Sequence, residues 1–124
     1  MIITITKKYD SGETEVVEVE LSEKLNTALQ VQKRFGKPYL KAIKEISNFS
    51  VEELVGFLTC GLKGMKPDEF KELIIENCGL SQLYDFVSNL AMAIQYPGLS
   101  EEEIEKKVQE QQAKTKRMNP GYQE

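Results

Sequence analysis

Histidine is absent from this chain of 124 residues, as is tryptophan. Without histidine the chain lacks the commonest general base near neutral pH and the commonest metal ligand. Only two cysteines occur, Cys60 and Cys78, far from any metal-ligand spacing. Each falls among apolar residues of helical period, which predicts buried, reduced thiols and leaves a disulfide between them as the alternative. Cys60 has no histidine to activate it as a nucleophile. No glycine-rich loop follows a strand: Gly56, Gly61 and Gly64 lie within or at the end of one helical run, where they suit packing and capping better than phosphate binding. No apolar run approaches the roughly 20 residues that span a bilayer. Met1-Ile2-Ile3-Thr4-Ile5 lacks the basic and small-residue marks of a signal peptide. A basic excess is missing too. The net charge is −4, with acids and bases interleaved, which excludes the clustered positive surface of a nucleic-acid binder. These absences predict a cytoplasmic, non-catalytic domain with no cofactor, no metal and no membrane or nucleic-acid partner.

The apolar content, 40%, suffices for one modest core. Residues 2–6 alternate isoleucine with threonine, and Val17, Val19 and Leu21 alternate with Glu18 and Glu20. Between the two runs, Asp10-Ser11-Gly12 suits a tight reversal, so residues 2–21 are expected to form a β-hairpin. A two-stranded hairpin is marginal alone and must pack on something else.

Beyond it the period becomes helical. Leu21, Leu25, Ala28, Leu29 and Phe35 fall near one stripe, which Gly36 and Pro38 end. A short helix is expected from Pro38 to Ile46. Ser50-Val51-Glu52-Glu53 matches a capping box and opens a helix through Val51, Leu54, Val55, Leu58 and Leu62, stopped at Gly64. Pro67, Asp68 and Glu69 open a fourth helix, with Phe70, Leu73, Ile74 and Cys78 as its inner face and Gly79 as its C-terminal stop. Ser81 begins a fifth, lined by Leu83, Phe86, Val87, Leu90, Ala93 and Ile94 and closed by Tyr96-Pro97-Gly98. From Leu99 onward there is little to bury. Glu101 to Glu103 suit a capping role, and residues 99–115 read as a projecting polar helix with a flexible tail over 116–124. The fold class predicted is mainly α within α+β: one domain over 1–98, made of a hairpin and a bundle of about five helices, then a polar C-terminus.

The order of parts carries a resemblance. An opening hairpin is followed by a helix ending in QVQKRFGKPYLKAIKEIS, and then by FSVEELVGFLTCGLKGMKPDEFKELIIENCGLSQLYDFVSNLAMAI. Over about residues 2–96 this resembles the tail assembly chaperones of long-tailed phages and the related tail-gene products of gene transfer agents. The matching positions are Leu54, Leu58, Gly61, Leu62 and Gly64, then Pro67, Glu69, Phe70, Leu73 and Ile74, then Leu83, Val87 and Leu90. The likeness lies in apolar positions and stops, without an invariant chemical motif. It implies a protein of the infected bacterial cytoplasm that binds the phage tape-measure protein and keeps the long helical client soluble, with the tail-tube protein as a second candidate partner. It also implies a short form to which a frameshift can add a C-terminal domain.

Partner contact is expected at apolar positions read as exposed: Ile2 and Ile3 on the first strand, and Met92, Tyr96 and Leu99 near the end of the domain. The first strand, at a sheet edge, offers self-association. Two other readings are a structural virion component (a head–tail connector or tail-completion protein) and a helix-turn-helix regulator built on residues 50–63 and 68–77. The acidic start of the second of those helices opposes the regulator.

Overall fold

The computed structural model describes residues 1–97 and four helical positions beyond them, Glu102, Glu103, Lys106 and Gln109. The expected projecting helix, apart from those four positions, and the tail lie outside the described residues.

Strands β1 (Ile2–Lys8) and β2 (Thr14–Leu21) form the expected antiparallel hairpin, in continuous register from Ile2↔Glu20 to Lys8↔Thr14. Gly12 takes the positive φ, 88°, that the reversal needs. Alternation decides the faces. Ile3, Ile5, Val19 and Leu21 are buried, while Ile2, Thr4, Thr6, Glu18 and Glu20 are exposed.

The sheet has a third strand that hydrophobic periodicity assigns to a helix. Helix α3 (Val51–Thr59) stops short of Gly61, and Leu62–Lys63 forms β3, pairing antiparallel with Glu20 and Leu21. The reason is close backbone approach. Ser22 donates its N–H to the Gly61 carbonyl at 2.6 Å, and a Cβ on Gly61 would lie 2.9 Å from the Ser22 carbonyl oxygen. A glycine here lets the chain leave the helix and join the sheet.

The helices cover the inner face of the sheet. Helix α3 is central: Leu54, Val55, Gly56, Phe57 and Leu58 are buried in succession, as in a helix surrounded on all sides. It begins with the predicted capping box. The Ser50 hydroxyl accepts from the Glu53 N–H at 3.1 Å and the Glu53 carboxylate accepts from the Ser50 N–H at 2.9 Å. Helix α1 (Leu25–Phe35) ends at Gly36, which is left-handed with φ 67°. Helix α2 (Tyr39–Lys44) is shorter than expected, and a 3-10 turn over Ile46–Asn48 carries the chain on. Helix α4 (Pro67–Asn77) packs on β1 and α3, and α5 (Leu80–Gln95) packs along α3. Gly79 is the N-cap of α5 at φ −84°, so the expected left-handed stop after α4 is not used.

Aromatic rings tie the first helices to α3. Phe35 and Phe49 stack with centroids 4.9 Å apart, and Phe57 contacts both, at 6.3 and 6.5 Å, as well as Tyr39. Thr27 is the one buried polar residue in the described core, and its hydroxyl donates to the Ser22 carbonyl at 2.8 Å. Each fully buried large side chain contributes about 1.5–3 kcal/mol through its removal from water. Among the described residues no helix is long and apolar enough to cross a membrane.

Candidate partner-binding groove

Helix α1 carries more apolar surface than the core covers. Its buried residues are Thr27 and Val31, with Ala28 and Phe35 partly buried against the core. Leu25 and Leu29, expected on the inner stripe, are 79% and 53% exposed. At about 100° per residue, the apolar positions from Val31 round to Leu29 span roughly 160° of the helix circumference. One packed face uses about half of that arc, and the other half stays open. This breadth is the signal in the sequence that a single-stripe reading overlooks.

The open half borders a groove of about 420 Å³ between α1, the start of α2 and the last turn of α5. Leu25, Ala28 and Leu29 line it from α1, and the buried Tyr39 and Ile94 from the other two helices. Gln32 and Gln95 are its polar members, and both also serve the fold: the Gln32 Oε1 accepts from the Tyr39 N–H at 3.2 Å, and the Gln95 amide contacts the Met92 sulfur at 4.0 Å. The Tyr39 hydroxyl donates to the Ala91 carbonyl at 2.9 Å, and burial pushes its pKa well above the ordinary tyrosine value. Among the described residues no aspartate, glutamate, lysine or arginine lines the groove. Such a lining suits an apolar side-chain row and offers nothing to a charged small molecule.

The expected contact residues divide. Ile2 (46% exposed) and Tyr96 (39%) are at the surface. Ile3 (3%) and Met92 (5%) are core residues and not exposed contacts. Ile3 points inward by strand alternation, and Met92, with Ala93, packs against Met1. Leu99 lies outside the described residues. The start of β1 and the last turns of α5 therefore adjoin through Met1, although the four described positions do not form one surface.

Other surfaces are smaller or charged. Val51, Ile75 and Leu80, all exposed, border a shallow apolar recess between α3, α4 and α5. A cleft beside β1 mixes Lys7 with Glu69, Glu72 and Glu76. Cys60 and Cys78 are free and half-buried, and burial raises both thiol pKa values, which favours the protonated form. Among the described residues no cluster of histidine, cysteine, aspartate or glutamate is placed to hold a metal ion.

Comparison with known proteins leaves the geometry to stand by itself: no family model matches the chain, and neither a curated protein nor a solved structure is significantly similar to it.

Proposed function

We propose that this chain is a non-catalytic tail assembly chaperone of the bacterial cytoplasm that holds apolar helical segments of a tape-measure protein in the α1–α2–α5 groove. The observation that supports this reading most is the exposure of Leu25 and Leu29 beside a groove that no charged side chain lines among the described residues. An amphipathic client helix presents apolar residues at i, i+3, i+4 and i+7, a row that such a groove accepts. The second apolar recess, around Val51, Ile75 and Leu80, gives the same domain another place to hold a long repetitive client. The order of elements over residues 2–96 supplies the resemblance on which the identity of the client rests.

The connection between α3 and α4 does not favour the regulator. A helix-turn-helix joins its helices by a turn of about three or four residues. Here β3 stands between them, and α4 opens with Asp68 and Glu69.

Co-expression with the tape-measure protein of the same phage tests the proposal. The expected result is a soluble complex with the wild-type chain and an insoluble client with Leu25→Glu/Leu29→Glu. A soluble client with both chains removes the groove from the mechanism. Recovery of the chain in purified virions would favour a structural component instead.

A further inference from the structure

We propose that a second copy of this chain pairs with β1 across a two-fold axis at Thr4, extending the three-stranded sheet into one of six strands. β1 is the edge of the sheet, since the strand order is β1-β2-β3. Its hydrogen-bonding phase is fixed at both ends. Met1 and Leu21 exchange both backbone bonds, at 2.9 and 2.7 Å, and Tyr9 donates to the Glu13 carbonyl at 2.9 Å. Odd-numbered residues therefore turn their backbone groups toward β2, and even-numbered residues turn theirs to the open edge. The N–H and C=O groups of Ile2, Thr4 and Thr6 form that edge.

Among the described residues the edge is unprotected at its centre. Its register with β2 is continuous, so no bulge twists it away, and no proline or charged residue falls between Ile2 and Thr6. At the far end the Lys8 N–H donates to the Asn77 side-chain oxygen, at 3.4 Å, and this contact closes the edge at Lys8. Antiparallel pairing of the remaining stretch with itself sets Thr4 against Thr4 and Ile2 against Thr6. Every backbone group of the open edge is then satisfied.

Charge favours a second copy over an unrelated strand. On the outer face Glu20 and Glu18 flank Ile2 and Thr4, whereas Lys8 lies at the opposite end of β1. The two-fold inverts this gradient and brings each Lys8 toward the partner's glutamate end. Their backbones are then about 10 Å apart laterally, across one intervening strand. Threonine pairs and opposite charges across strands both stabilise such a ladder.

The full chain examined by analytical ultracentrifugation over a rising concentration series is expected to reach twice its monomer mass. Thr4→Pro removes an outward N–H without breaking a β1–β2 bond and is expected to restore the monomer mass. In a Cys60→Ala/Cys78→Ala background, Thr4→Cys is expected to oxidise to a covalent dimer, because residues facing each other in a bonded pair lie about 5.5 Å apart. Glu18→Cys, about three strand spacings from its counterpart, is expected to form no covalent dimer under the same oxidation. A chain that remains monomeric at its solubility limit overturns the proposal. So does a dimer whose mass is unchanged by Thr4→Pro and which fails to cross-link through Thr4→Cys.

Discussion

The Arg34 guanidinium on α1 occupies the space beside Gly56 on α3 that a Cβ would need. Alanine at position 56 adds helix propensity worth about 0.5–1 kcal/mol and must displace the arginine to do so. Because the displaced group is the far end of a flexible side chain, the two effects offset. Gly56→Ala is expected to change stability by less than about 1 kcal/mol. In an Arg34→Ala background the same substitution is expected to stabilise by the full propensity gain. Urea unfolding of the four proteins of this cycle checks the non-additivity; additive values would show that Arg34 and Gly56 do not interact.

Gly61 presents the opposite case, because the group in the way is backbone. The Ser22 carbonyl lies 2.9 Å from where a Cβ would stand. Gly61→Ala is expected to destabilise by about 1–3 kcal/mol through overpacking, and to separate β3 from β2. Faster amide exchange at Ser22 than in the wild type is the accompanying sign, and unchanged exchange would argue that β3 stays docked.

The bond from Tyr39 to Ala91 predicts a mutational and an alkaline effect. Tyr39→Phe is expected to cost about 0.5–1.5 kcal/mol, the net value of one hydrogen bond. Burial raises the folded-state pKa of Tyr39 above its ordinary value of 10.0. The folded protein therefore holds this proton more tightly than the unfolded chain does. The associated stability is present in full below about pH 10 and declines as the pH rises toward the folded-state pKa. Denaturation midpoints measured from pH 8 to pH 11 are expected to fall more in the wild type than in Tyr39→Phe.

Exposure separates binding from folding on α1. Leu29→Ala is expected to alter stability by no more than about 0.5 kcal/mol, as at other surface positions. Leu58→Ala, at a fully buried position of α3, is expected to cost about 2–5 kcal/mol. Thermal melts of both variants, set beside client capture, discriminate the roles: a large loss of stability in Leu29→Ala would place that residue in the core.

The elements legible in the sequence have local causes. Ser50 and Glu53 mark the start of α3 because their reciprocal bonds span one turn, and Pro67 with two acids marks α4 through its fixed φ and the helix dipole. The hairpin follows from alternation and Gly12. What escapes a local reading depends on distant residues. Leu62 and Lys63 continue a helical period, and only Glu20, Leu21 and Ser22 pull them into the sheet. Leu25 and Leu29 look internal until the packing of Thr27 and Val31 has taken the inner face. Ile3 and Met92 look available for contact until β1 and α5 are placed on the core.

The dependence of the hairpin on later residues sets an order of events during synthesis. β1 and β2 belong to the first 21 residues, yet their inner face is covered by α4 and their third strand comes from Leu62–Lys63. On a chain growing from its N-terminus at about 5–20 residues per second, Ile3, Ile5, Val19 and Leu21 wait several seconds for those segments to leave the ribosome. During that interval the hairpin has both an open edge and an uncovered apolar face. The nascent chain is thus most prone to engage neighbours before its own second half exists, and slow translation ahead of Pro67 would lengthen that exposure.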